Sequence, residues 1–377
     1  MLAGVDLQID LDRGRKDSMT TKTRYFFLGG TAVLVAGLAG GLAAYYAGVP
    51  VFGALSGEPE ALHFVPEDAA VVAFADVHAV MDSELRKQIR QVQPEGASQA
   101  ETNGRRIFEE HTGVDIERDI DQVVAYLLPA ADQGGPEQGL VLATGRFDQP
   151  RIERLIQDHG GVAETYLGKQ FLVRRFDIPV PPPAPPIPSP DSQTPSPQSL
   201  VPGPTRAHEM AVGFIRPDLI AVGTSAALRR AIDLQSGNGL DITRNDEFMV
   251  LVRDSDDGNA WAVGRFDRLV SRGGVPQEII SRLPPLTYLA ASGHVNGGLR
   301  GRLRVEARDE TSAQQLHDVI RGFVALAKMQ SGSRPELATV LQSLQLQAEG
   351  NSVVLSFALP AEVIQTLASQ NFPRPPQ

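Results

Sequence analysis

The chain has 377 residues, of which 35 are basic and 45 acidic, giving a formal net charge of −10, and it contains no cysteine. The acidic balance argues against a general nucleic-acid binder, which needs a basic surface to offset phosphates. Without cysteine there are no disulfides, thiolate metal sites, iron–sulfur clusters or cysteine nucleophiles.

In chain order the first element is a membrane segment. Residues 25–50 read as a transmembrane helix, because no charge occurs between Arg24 and Glu58. Its 25 residues from Tyr25 to Val49 span roughly 37 Å as a helix, enough to cross a bilayer. A cleaved signal peptide has an apolar core of only about 7–15 residues, so a retained anchor is expected. Arg13, Arg15, Lys16, Lys22 and Arg24 precede it, and Glu58, Glu60, Glu67 and Asp68 follow. Positive charge stays inside, so residues 1–24 form a short cytoplasmic tail and the bulk of the chain lies outside. Met19 is an alternative start to Met1. Ala32, Ala36, Gly40 and Ala44, with Gly37 and Gly41, form a stripe of small residues. Such a stripe lets two helices approach closely and suits a homodimer, although small residues are also common in membrane helices.

Residues 58–255 read as an α+β region. In "AAVVAFA" (69–75) an apolar β-rich run precedes Asp76, which suits a helix N-cap. Val77, Val80, Met81, Leu85 and Ile89 then share one helical face. The same pattern returns with Asp148 before Ile152, Leu155 and Ile156, and again at Asp267, and "GRFD" occurs in both later copies. These are three strand–Asp–helix units. "YLGKQFLVRRF" (166–176) reads as one strand, "HEMAVGFIRPDLIAVG" (208–223) as a hairpin turning at "RPD", and "TSAALRRAIDL" as a capped helix. Between them, residues 179–204 hold 12 of the 28 prolines. Proline-rich chain cannot pair in a sheet and follows an extended path. With a strand on either side, the tract reads as an insertion within a domain. Its P-x-x-P spacings suit an aromatic groove, or it is a solvated spacer.

Residues 259–370 form a second α+β region, either continuous with the first or separate. Leu299, Gly301, Leu303, Val305 and Ala307 alternate with Arg300, Arg302, Arg304, Glu306 and Arg308, so one sheet face is buried and one wet. Thr311 with Gln314 resembles a capping box. Leu316, Val319, Ile320, Phe323, Val324 and Ala327 form an apolar helical stripe. A hairpin with "EGN" at its tip points Leu344, Leu346, Val353, Leu355 and Phe357 inward. The expected architecture is α+β: antiparallel sheets with helices packed on one face.

Catalytic signatures are missing. None of the histidines at 63, 78, 111, 159, 208, 294 and 317 stands in a metal-ligand spacing. "DSDDGN" (254–259) places glycine fifth and Arg265 twelfth, where a calcium loop needs glycine sixth and glutamate twelfth. No nucleophile elbow, Walker loop or dinucleotide fingerprint occurs. No cofactor or metal is expected. The one candidate surface is the wet face of the last third: Arg300, Arg302 and Arg304 beside Gln345, Gln347, Ser352 and Ser356. Alternate residues of a strand lie about 6.7 Å apart, and such a row suits paired N–H grips on carboxylate or phosphate. As a plain solvated face it needs no ligand.

"VPEDAAVVAFADV", the two "GRFD" units, "LIAVGTSAALRRAID" and "GFVALAKMQ" resemble segments of uncharacterised bacterial membrane-anchored proteins with an extracytoplasmic domain of unknown function. The resemblance covers roughly Leu62 to Leu367 and implies no catalytic residue. It places the chain in a bacterial inner membrane. The expected function is non-catalytic binding of an envelope protein or ligand. The alternative is an envelope hydrolase using carboxylates outside any motif.

Overall fold

The computed structural model describes residues 59–84, 86, 95–129, 138–179, 205–255, 258–270, 283–295, 297–330 and 341–361. Residues 25–50, the stripe from Ala32 to Ala44 and the choice of start lie outside them. Among the described residues no helix is long and apolar enough to cross a membrane.

The first half of the sheet begins with β1 (Val71–Asp76), β2 (Ile120–Leu127) and β3 (Gly139–Gly145), and continues with β4 (Val162–Tyr166), β5 (Lys169–Pro179), β6 (Thr205–Arg216) and β7 (Leu219–Gly223). The second half holds β8 (Ala260–Arg265), β9 (Leu286–Val295), β10 (Gly298–Ala307), β11 (Gln345–Glu349) and β12 (Ser352–Pro360). All are antiparallel neighbours in one sheet, in the order β11-β12-β10-β9-β8-β1-β2-β3-β7-β6-β5-β4. The helices are α1 (Val77–Met81), α2 (Glu95–Thr112), α3 (Ile116–Asp119), α4 (Gln149–Asp158), α5 (Ser225–Gln235), α6 (Asp246–Ser255), α7 (Phe266–Val270) and α8 (Glu310–Gln330).

The order contains a repeat. Outward from the β1–β8 seam, each half runs as a three-stranded meander. It then passes through a helix, α4 or α8, to its outermost strand and winds back to pair with the third. The second half is shorter by one hairpin. The seam is antiparallel, with Val72 opposite Val263 and Phe74 opposite Trp261. Phe74 and Trp261 stack there, with ring centroids 5.6 Å apart.

The "GRFD" copies do not mark this repeat. The first begins at the last residue of β3, the third strand of its half; the second begins in the last two residues of β8, the first strand of its half. Their conformations differ too. Asp148 accepts the Arg151 N–H at 3.1 Å, an N-cap. Asp267 lies inside α7, which starts at Phe266, and faces Arg268 at 3.4 Å instead of capping. Gly145 also needs to be glycine, since a Cβ there would lie 2.0 Å from the Asp119 carbonyl oxygen.

Cross-strand partners share a face, so the register traces each side of the sheet. Phe74 leads through Trp261, Ser292, Arg302 and Ser356 to Gln345. On this face Leu228, Ala231 and Ile232 of α5 and Phe248, Met249, Leu251 and Val252 of α6 join the main core with Phe74, Tyr126, Leu142 and Trp261. On the opposite face Ala313 and Leu316 of α8 pack on Val305 and Val353. The helices therefore cover both faces, not one. The cause is α6, whose apolar residues seal the side of the sheet that also carries the arginine row.

Other departures are local. The helix after Asp76 ends at Met81; Ser83 interrupts it, donating its hydroxyl to the Val80 carbonyl and accepting the Arg86 N–H. Leu85 and Ile89 lie outside the described residues. Residues 166–176 are not one strand: Leu167 (φ 46°) and Gly168 (φ 77°) turn the chain between β4 and β5. Asp309 rather than Thr311 caps α8, accepting the Ser312 N–H at 2.7 Å. Val319 and Phe323 are exposed, Phe323 at 68%, so the inward stripe of α8 is narrower than its apolar sequence. Pro179 pairs with Thr205, so residues 180–204 join two neighbouring strands.

Candidate functional site

The arginine row divides in two. Arg304 is a structural residue. Its Nη1 pairs with Asp254 at the end of α6, its Nε donates to Glu306 Oε1 at 2.7 Å, and its Nη2 donates to Ser352 Oγ at 3.0 Å. Ser352 Oγ in turn donates to Glu306 Oε1 at 2.8 Å. Glu306 and Ser352 are buried, so the face expected to be wet is closed at this end. Alternation alone missed this, because it cannot show that α6 returns over the strand. Arg300 is exposed and Arg302 half-buried, and neither makes an ion pair among the described residues. Gln345 lies in register with Ser356, opposite Arg302, and Gln347 lies in register with Val354, opposite Arg304.

A groove opens on the other face, between α8 and the β11–β12 hairpin, with a volume of about 330 Å³. One wall is the helical stripe His317, Arg321, Val324 and Lys328. Their spacings of three, four and seven residues bring them to one side of a helix. The other wall is Leu344, Leu346 and Leu355, the last two directly opposite each other across the hairpin. Both hairpin leucines stay half-buried, although Val305 and Val353 beside them are closed. Arg321 is exposed and makes no ion pair among the described residues; His317 Nδ1 lies 3.4 Å from Asp318. Of these residues the sequence pattern shows Val324 in the α8 stripe and Leu344, Leu346 and Leu355 in the hairpin's inward set; His317, Arg321 and Lys328 belong to neither. It hides their meeting, because Val319 and Phe323 are the more apolar side of the helix.

Two carboxylates with shifted pKa values outside this groove, Asp76 and Asp119, serve the fold. Asp76 is fully buried, and burial raises its pKa above the ordinary carboxylate range. Its Oδ1 accepts the Ala79 N–H at 2.8 Å, while Oδ2 has no hydrogen-bond partner. The nearby His78 pairs with Asp121 at 2.9 Å. No substrate reaches a carboxylate buried this completely. Asp119 is held below the usual range, first by the Asp115 N–H at 2.9 Å and then by Arg146. Tyr126 is buried and donates to the Ala227 carbonyl at 2.8 Å. Among the described residues no group of three or more His, Asp or Glu could hold a metal ion.

No protein-family model and no curated protein matches the chain. Two solved structures of a protein named TP0453 are similar to it at 12% identity, each covering 84% of this chain and 99% of the other. Crystal form III gives a TM-score of 0.40 and crystal form I gives 0.38. A resemblance this weak says nothing about function.

Proposed function

We propose that the chain is a non-catalytic binding protein. It is held in the membrane by residues 25–50 with its described part outside, and it takes an anionic ligand in the groove between α8 and β11–β12. The observation that carries this reading is the alignment of His317, Arg321 and Lys328 along one wall of this groove. A concave site with a few convergent polar groups is the usual form of a ligand pocket. The alternative hydrolase needs a carboxylate facing its substrate, and among the described residues the groove's lining includes none. The test is a thermal-shift screen of the full chain, in lipid nanodiscs, against small anions. At least one anion raises the melting temperature of the wild type and not of Arg321→Gln. If every stabilising anion acts equally on both, the groove is not the site.

A second surface is supported by the division of the arginine row. With Arg304 committed to Asp254 and Glu306, Arg300 and Arg302 are left to face an acidic partner protein. Cross-linking in intact cells, with the wild type and the double Gln variant at 300 and 302, decides it. A partner captured equally by both chains does not use this surface. A partner lost only on deleting residues 180–204 docks on the proline tract instead.

A further inference from the structure

We infer that the groove receives a single-chain amphipathic anion, an alkyl chain ended by a carboxylate or phosphate. This rests on the groove being the ligand site. The two walls make different demands. The polar wall runs from His317 to Lys328 for about 16 Å of helix, with its two cations, Arg321 and Lys328, about 10 Å apart along it. Against it stand leucines that offer no polar atom. A small inorganic anion satisfies Arg321 but leaves Leu346 and Leu355 in water. A neutral hydrocarbon covers the leucines but strips water from a guanidinium without replacing it, which is costly. A hydrocarbon with one anionic end meets both demands, by charge-assisted hydrogen bonds at the head and apolar burial along the chain. Carboxylate and phosphate heads suit arginine equally, because both accept its paired N–H donors.

The absence of cysteine gives a direct reporter. Ala325 is exposed on α8, four residues after Arg321 and three before Lys328. Ala325→Cys, labelled with a polarity-sensitive dye, leaves the groove residues themselves unchanged. The full chain in nanodiscs of zwitterionic lipid is titrated with acetate, hexanoate, octanoate, decanoate, decyl phosphate, inorganic phosphate and decanol. Adding Arg321→Gln and Lys328→Gln to the same reporter measures partition into the lipid.

The expected result is saturable binding that tightens about fourfold per added methylene. Decanoate and decyl phosphate bind alike, and Arg321→Gln weakens both by about tenfold or more. If acetate or inorganic phosphate binds as tightly as decanoate and still depends on Arg321, the groove is a plain anion site. The amphipathic ligand is then wrong while the binding function stands. If decanol matches decanoate while the charge variants still weaken acetate or inorganic phosphate, the anionic head of the amphipathic ligand is wrong and the anion site stands. If no probe separates the reporter from its charge-neutralised form, the groove reading falls as well.

Discussion

Asp76, which is buried, and Arg304, which is half-buried, have opposite consequences. Asp76 has a raised pKa in the fold, chiefly through burial. A carboxyl raised in this way contributes most below its unfolded pKa, and that contribution is lost as pH rises through the folded value. Asp76→Asn keeps an oxygen for the Ala79 N–H but does not titrate. Its stability relative to wild type therefore rises between pH 3 and pH 8; a difference that stays flat across pH refutes the assignment. Asp76→Ala loses the cap and costs about 1 kcal/mol. Asp119, with a lowered pKa, behaves oppositely: its contribution is present above the unfolded pKa and lost as pH falls through the folded one. For the arginines, Arg304→Gln leaves Glu306 buried without its cation. The expected loss is about 2–3 kcal/mol, less than for a fully buried pair because Arg304 is partly exposed. Arg300→Gln and Arg302→Gln stay within about 0.5 kcal/mol, as surface changes do. Denaturant midpoints of the three variants separate the roles.

Among the elements, legibility follows how local the cause is. Helix α5 is readable because Thr224 caps it and Leu228, Ala231 and Ile232 all face the core. Strand β10 is readable from its alternation. The β4–β5 hairpin is not, because its turn places Leu167 at positive φ, where asparagine, aspartate or glycine is the usual signal. Helix α6 carries the apolar run Phe248–Val252 behind a local cap, Asn245, which accepts the Phe248 N–H at 3.0 Å; its position over the sheet is a tertiary fact that no local signal shows. Of the groove only the apolar wall of Leu344, Leu346 and Leu355, with Val324, is legible; the basic residues His317, Arg321 and Lys328 follow no apolar pattern. The proline tract gives the element-scale prediction. Because Pro179 and Thr205 are already paired, replacing residues 180–204 by Asn-Gly leaves the sheet intact. The shorter closure stabilises the fold by up to about 2 kcal/mol. A large loss of stability or of cooperative unfolding means the tract packs on the domain.

For the whole molecule, the two regions read from the sequence are halves of one sheet, joined where β1 lies between β2 and β8. The strand–Asp–helix units read from the sequence do not coincide with the repeat of winding, since a tetrapeptide recurs by chance far more easily than a strand order does. The seam is long-range and carries large buried rings, so it binds halves that are no longer covalently joined. Co-expressed fragments 1–256 and 257–377 are expected to co-purify. Trp261→Ala, which removes the ring stacked on Phe74, costs about 3–5 kcal/mol and abolishes the association. Recovery of the altered fragments at the unaltered yield counts against the seam as the joint.

The seam also sets a timetable for synthesis. β1 ends at residue 76 and its second partner β8 begins at residue 260. At about 5–20 residues per second, a ribosome needs roughly 9–37 s to cross that interval. Until β2 is complete at Leu127 the strand destined for the centre of the sheet has no neighbour, and from then until β8 it has one on one edge and bare amide groups on the other. A nascent chain of this kind invites pairing with the β1 of another copy. Slowing elongation after β7 therefore raises aggregate yield, and a chaperone that shields strand edges lowers it.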